Sequence, residues 1–411
     1  MGSLAFLRAE WRFLLYGLLM SFFSSLGQTF FISLFSPQIR EALSLSHGSF
    51  GSWYAAATIA SAITLFWLGK LADTVSVPRL SFYTLTGLAL AALFFASVQT
   101  VWMLVIGLYL LRLFGQGMSY HVYATAMARR YRAARGRALA ISSLGIHLAE
   151  SIGPASVVAL LALLDWRLLW AGLAVFSWLA LVPFLPALTR RTELQDGLGR
   201  PGSAADRARQ PASLNRRQML ADPVFRGIIL WLVAMPSFVI TGLFFHQIFL
   251  AEARGVALLV WGAHYGLYAL AAVFGALAAG WLIDRFSAQH LAAFSQAGLA
   301  VAPLGLWLVP GTAGLWLFFI SFGLAAGMTG AMMNALLAER YGTEKLGEIR
   351  ALILPVTVLS SAVSPMLMGV MIDAGAGLGL LMGLVGLIAA LPVSAAFVWF
   401  NLLGRRVYRA R

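Results

Sequence analysis

Apolar stretches, most of them about 20 residues long, recur along the chain from Trp11 to Leu403. A helix of about 20 residues reaches across the hydrocarbon layer of a bilayer, so each stretch reads as a membrane span. Only 11% of the residues are charged, against about 25% in a soluble domain. The expected fold is all-α and integral to the membrane. Twelve helices are placed at 12–36, 48–69, 80–98, 101–128, 138–163, 167–188, 224–250, 258–283, 290–308, 313–338, 349–372 and 377–402. The first apolar run has no small-residue cleavage site behind it and reads as a retained helix.

The net charge of +14 invites a nucleic-acid reading, but the charges sit in short segments between spans. There they act as topology signals. Of the 29 Lys and Arg residues, only Arg40, Arg167 and Arg254 fall in the loops of one face, and Arg112 lies within a span. The other 25 gather on the face that carries both termini, which predicts cytoplasmic N- and C-termini in a cell inner membrane. The chain has no cysteine, so disulfides, thiolate metal sites and a cysteine nucleophile are excluded.

The longest polar stretch, rich in Arg, Gly, Ala and Pro, separates the sixth span from the seventh. It divides the chain into an N-terminal six-helix half (1–188), a cytoplasmic linker (189–223) and a C-terminal six-helix half (224–411). The halves repeat. Gly69-Lys70-Leu71-Ala72-Asp73 returns as Gly280-Trp281-Leu282-Ile283-Asp284, 211 positions on. Gly117-Met118 followed by Ala128-Arg129-Arg130-Tyr131 returns as Gly327-Met328 followed by Ala338-Glu339-Arg340-Tyr341, 210 positions on.

On these residues the chain resembles the major facilitator superfamily. Gly69, Leu71, Asp73 and Arg79 match its motif after the second helix, with Val75, Ser76 and Val77 replacing the usual glycine and basic cluster. Leu108, Arg112, Gly115 and Gly117 match its fourth-helix motif, and Gly145, Gly153 and Pro154 loosely match its antiporter motif. The resemblance implies two pseudo-symmetric halves with a substrate site near the midplane between them. It also implies a gating latch at Asp73 and Arg79, with Asp284 at the equivalent place in the second half. The plainer reading of Asp73 is a loop cap.

Ionisable groups deep in a span are costly unless paired or wetted, and so mark candidate sites. Arg112 and Glu150 both fall near mid-membrane, on the fourth and fifth spans, and are expected to pair. The pair reads either as a structural bridge or as a proton and substrate site. Gln116 and Tyr120 recur with Arg112 along one face of the fourth helix, and His147 shares a face with Glu150. Gln28 belongs to a polar stripe on the first helix with Ser21 and Ser24. His246, His264 and Tyr268 lie toward the ends of the seventh and eighth spans, as proton relays or as packed core groups.

Arg137–Pro154 loosely resembles a bacterial subgroup that includes copper and riboflavin importers. Its copper members pair Met-x-x-x-Met with His-x-x-x-Met. Here Met235 is followed by Val239 and His264 by Tyr268, so no metal site is assigned. No cofactor is implied, and no enzyme motif is present. The expected function is secondary active, proton-coupled transport of a small organic solute, with Arg112 placed to attract an anionic group, in a lipid-embedded monomer with no nucleic-acid partner. The alternatives are broad drug/proton efflux, or a receptor or assembly factor that kept the fold.

Overall fold

The computed structural model describes residues 3–131, 134–189, 216–342 and 346–403. Among these residues eleven helices are long and apolar enough to cross a membrane, and a bent pair makes a twelfth. In chain order α1 is the bent pair Phe6–Gly27 and Thr29–Leu43, followed by α2 His47–Leu68, α3 Val77–Ala96, α4 Val101–Arg130, α5 Arg135–Leu161 and α6 Trp166–Leu188. Then come α7 Phe225–Phe245, α8 Leu258–Arg285, α9 Ala288–Leu308, α10 Gly311–Tyr341, α11 Leu352–Asp373 and α12 Leu378–Leu402. No strand occurs among the described residues. This is the twelve-helix fold expected from the apolar lengths. Most of the linker and the Arg-rich tail after Leu403 lie outside the described residues.

The chain divides into two compact units, Met1–Pro201 with Ala257–Ala263, and Gly202–Val256 with His264–Arg411. In the first, α1 packs along α5, α3 along α6 and α2 along α4. In the second, α7 packs along α11 and α9 along both α10 and α12. Large apolar side chains such as Trp102, Phe66 and Leu270 stand exposed, as lipid-facing groups should.

The sequence repeat becomes a repeated contact at the end of each unit where its chain begins. In the first unit Arg130 donates through Nε and Nη2 to Glu10 Oε2 (3.0 and 2.8 Å), and the Tyr131 hydroxyl donates to the same oxygen at 2.8 Å. In the second, Arg340 donates through Nε and Nη2 to Asp222 Oδ2 (both 3.1 Å), joined by the Tyr341 hydroxyl at 2.8 Å. Tyr131 also meets the ring of Phe13 at 6.1 Å, and Tyr341 that of Phe225 at 5.8 Å. An acid, a phenylalanine three residues on and a distant Arg-Tyr therefore tie the first helix of each unit to its fourth.

One step before these arginines the repeat diverges. Arg129 donates to the Ala72 carbonyl, in the turn after α2. Its counterpart Glu339 instead accepts from the Ser287 hydroxyl (2.7 Å) and the Ala288 N–H (2.8 Å) at the start of α9. Each charge suits what it meets: carbonyls at a helix end attract a cation, and free N–H groups at a helix start attract a carboxylate.

The basic residues of the charge-poor face are also used. Arg167 donates to the Val98 carbonyl at 3.0 Å and lies over the Trp166 ring at 4.3 Å. Arg254 donates to the Val309 carbonyl at 2.5 Å. Val98 and Val309 are 211 positions apart, so each unit satisfies the same exposed helix-end carbonyl with an arginine drawn from a different loop.

The first span departs from the continuous helix expected over 12–36. It turns to a 3-10 helix at Ser24–Gly27 and is extended at Gln28 (φ −87°, ψ 150°), and its two parts meet at 49°. Serines at 24 and 25 beside a glycine weaken the helix here, and Ser24 Oγ turns back onto the Ser21 carbonyl at 2.6 Å.

Candidate functional site

The broken segment of α1 crosses α4 where α4 is itself irregular. Arg112–Ser119 is π-helical, with the Ser119 hydroxyl donating to the Phe114 carbonyl five residues back at 2.8 Å. Such widened turns cluster at functional sites because they redirect side chains at the cost of regular hydrogen bonding. At the crossing, backbone meets backbone. A Cβ on Gly27 would stand 2.8 Å from Gly115 Cα, and one on Gly115 would stand 2.6 Å from Gly27 Cα. No larger residue fits at either position without moving a helix.

Arg112 is 3% exposed. Its Nη1 donates to the Gly27 carbonyl at 3.2 Å, an acceptor at the break in α1, and lies 3.4 Å from Thr29 Oγ1. The guanidinium carbon sits 5.1 Å from the centre of the Tyr54 ring, on α2. The Tyr54 hydroxyl is 2.6 Å from the Thr29 hydroxyl. Arg112 Nε is buried without a partner among the described residues. Three helices thus converge on one cation, and every group they offer it is neutral.

The expected pairing of Arg112 with Glu150 is not observed. Glu150 is engaged by the histidine one turn before it: His147 Nδ1 donates to Oε2 at 2.8 Å. Residues three apart on a helix share a face, which makes this local pair geometrically cheap. Arg112 meanwhile faces α1 and α2. The two charges occupy one unit but belong to separate clusters. Among the described residues neither has an oppositely charged partner other than the His147–Glu150 contact.

The remaining candidates separate by environment. Gln28 and Gln116 flank the Gly27–Gly115 crossing, are part-buried, and make no side-chain hydrogen bond among the described residues. Tyr120 is 61% exposed and packs edge-on to Tyr123 at 5.4 Å. His246 is buried and donates through Nε2 to the Pro365 carbonyl at 2.9 Å. His264 lies against the Phe319 ring at 5.8 Å. Tyr268 is buried beside Phe244 (5.1 Å) and Phe322 (6.1 Å). Phe322, which takes the place of Arg112 in the repeat, therefore belongs to an aromatic core. Arg79 and Asp284 are exposed and make no side-chain bond among the described residues, and the Asp73 side chain lies outside them. His121 Nε2 donates to the Gly69 carbonyl at 2.9 Å, so α4 braces the turn after α2 from two positions, His121 and Arg129.

Sequence reasoning missed Tyr54 and Thr29. Neither is unusual in an apolar helix; the bend in α1 brings Thr29 to Arg112, and Tyr54 reaches it from α2. It also missed Glu10, for which a signal existed: Glu10-x-x-Phe13 and Asp222-x-x-Phe225 lie 212 positions apart.

A bundle of this kind, two six-span units built on one internal repeat with a broken first helix around a buried cation, defines a class of membrane carrier. The chain belongs to the major facilitator superfamily, whose family model matches residues 17–365. It is a multi-pass membrane transporter and not an enzyme. Among solved structures it is similar to a bacterial homologue of the human lysosomal transporter Spinster in an inward-facing, unoccupied conformation. That match has 16% identity and a TM-score of 0.64, over 94% of this chain and 93% of the other. It is also similar to the nucleoside transporter NupG, with 12% identity and a TM-score of 0.70, over 95% of this chain and 100% of the other. No curated protein matches the sequence.

Proposed function

We propose that the protein is a proton-coupled secondary transporter of a small organic solute, working by alternating access as a monomer in a cell inner membrane with both termini cytoplasmic. The observation that carries this reading is the crossing of a broken α1 with a π-helical α4 around Arg112. Transporters of this fold bind cargo where helices are discontinuous, because only there do backbone polar groups and buried side chains face a ligand. Here the break offers a buried cation and two uncommitted amides, Gln28 and Gln116.

His147 and Glu150 are the proton-carrying pair in this reading. The imidazole Nδ1 and the carboxylate oxygen lie 2.8 Å apart, within direct hydrogen-bond reach, on one face of α5. Asp73, Arg79 and Asp284 serve as gating groups on the face that bears the termini, with His121 and Arg129 bracing the turn that holds Asp73.

The test is flux in proteoliposomes carrying an internal pH dye, with an imposed pH gradient and a panel of metabolites outside. A solute that moves protons with it, in wild type but not in Glu150→Gln, is the expected result. Solute flux that ignores the pH gradient removes the proton coupling. The absence of any flux across the panel from protein shown to be folded favours a receptor over a carrier.

A further inference from the structure

Among the described residues no acid pairs with the cation at the centre of the site. Arg112 cannot shed its charge in a protein. Its Nη1 is committed to the Gly27 carbonyl and the Thr29 hydroxyl, and the Tyr54 ring centre lies 5.1 Å from its guanidinium carbon. All three partners are neutral. The counter-ion expected from the sequence, Glu150, is occupied by His147. A buried charge with only neutral partners carries an uncompensated desolvation cost, and breaking a buried ion pair by removing one member is strongly destabilising. The first unit holds Arg112 in the half-paired condition that a removable anion would complete.

The geometry also says which edge of the guanidinium remains. The Tyr54 hydroxyl lies 2.6 Å from the Thr29 hydroxyl, Thr29 and Gly27 take Nη1, and the Tyr54 ring centre stands 5.1 Å from the guanidinium carbon. What is left is the Nε–Nη2 edge: Nε is buried and unpartnered, and Nη2 makes no hydrogen bond among the described residues. Two N–H groups side by side in one plane match the two oxygens of a carboxylate. One fixed charge suits a monoanionic group better than a doubly charged phosphate, which would stay half-compensated.

We propose that the cargo is an organic anion bearing a carboxylate, gripped by the Nε–Nη2 edge of Arg112. Tyr54 and Thr29 are positioning residues that present this edge, and Gln28 and Gln116 contact the remainder of the solute. The break in α1 at Gln28 is the joint that opens this edge to the solute. The inference names the substrate class of the site proposed above and rests on that reading.

The experiment uses the full-length protein in lipid nanodiscs and reads thermal stability against matched pairs: benzoate and benzamide, nicotinate and nicotinamide, lactate and lactamide, with chloride and phosphate as anion controls. At least one carboxylate is expected to raise the melting temperature in a saturable way, with its amide inert. Arg112→Lys, which keeps the charge but loses the fork, is expected to weaken that binding about tenfold. Tyr54→Leu is expected to weaken it similarly and Tyr54→Phe less, with ligand-free melting of Tyr54→Phe near wild type to show that it folds. The proposal is overturned if no carboxylate stabilises the protein, if amides or chloride do as well, or if Arg112→Lys binds with unchanged affinity. Proton-driven flux of a neutral solute alone sinks the carboxylate assignment and leaves the transporter reading standing. Carboxylate binding with no flux of any solute does the reverse.

Discussion

Arg340 and Asp222 are joined by three guanidinium contacts, from Nε and Nη2, at 3.1–3.4 Å. Arg130 and Glu10 occupy the same places in the first unit. Burial alone would raise the Asp222 carboxyl. The Tyr341 hydroxyl, the Val224 N–H and the Arg340 charge outweigh that and hold it below the usual carboxylate value. A carboxylate depressed in the folded state contributes stability that is present above its unfolded pKa and is lost as pH falls through the folded one. Asp222→Asn is therefore expected to lower stability by about 1–3 kcal/mol at pH 7. The deficit relative to wild type should shrink as pH is taken below the ordinary carboxylate range. Melting curves of both proteins from pH 7 down to pH 3 check this, and a deficit that stays constant with pH removes Asp222 as its source.

Gly27 and Gly115 allow α1 and α4 to touch backbone to backbone, with Cβ positions 2.6–2.8 Å from the facing Cα. Gly27→Ala and Gly115→Ala each force the helices apart, at a cost of about 1–3 kcal/mol. Both are expected to abolish flux even where protein still reaches the membrane. Gly172, on α6, has open space where a Cβ would go, so Gly172→Ala should be neutral or stabilising by up to about 1 kcal/mol. Expression, melting temperature and flux of the three variants decide the matter.

Glu150→Gln and His147→Ala remove different halves of one contact. Under the proposed function, Glu150→Gln retains solute binding and downhill exchange but loses uptake driven by a pH gradient. His147→Ala leaves the carboxyl in place without its donor and shifts the pH at which driven flux is half-maximal. Counterflow measured beside pH-driven uptake separates the two. Loss of both activities in both variants would make the pair a packing element.

Glu339 caps the start of α9 through the Ser287 hydroxyl and the Ala288 N–H. Its removal as Glu339→Ala should cost about 1–2 kcal/mol, as loss of a helix cap does, and leave substrate affinity unchanged. Glu339→Arg, which copies the residue at 129, should cost more, because a cation would face free N–H groups. Chemical denaturation in detergent with a binding assay on the same samples tests both.

Apolar length made the span positions legible, since a bilayer of fixed thickness selects it: helices expected at 48–69 and 313–338 are observed at His47–Leu68 and Gly311–Tyr341. The repeat was legible as well, though not what each residue does in it. Gly117 and Gly327 are equivalent in sequence, yet a Cβ on Gly327 would run into the backbone of α8 at Ala272 and Ala276, while one on Gly117 would first meet the Leu65 side chain, at 3.2 Å. The break in α1 was legible only in part: Ser24, Ser25 and Gly27 weaken the helix locally, but the Arg112 guanidinium that holds the Gly27 carbonyl is a tertiary partner. The partner of Glu150 was within reach: His147 stands three residues before it on the same face. The attraction of opposite full charges drew the eye to Arg112, and local spacing prevailed over it.

The contact between Gly27 and Gly115 leaves no layer of side chains between the two backbones. Side chains are the bearings on which packed helices slip past one another, since they can change rotamer to absorb a shift. Without them α1 and α4 are meshed at this point, and any tilt of one half of α1 must pivot there. The guanidinium beside that pivot would barely move while everything farther along the helix swings, so under the proposed function cargo would rest at the hub of the motion and not on its rim.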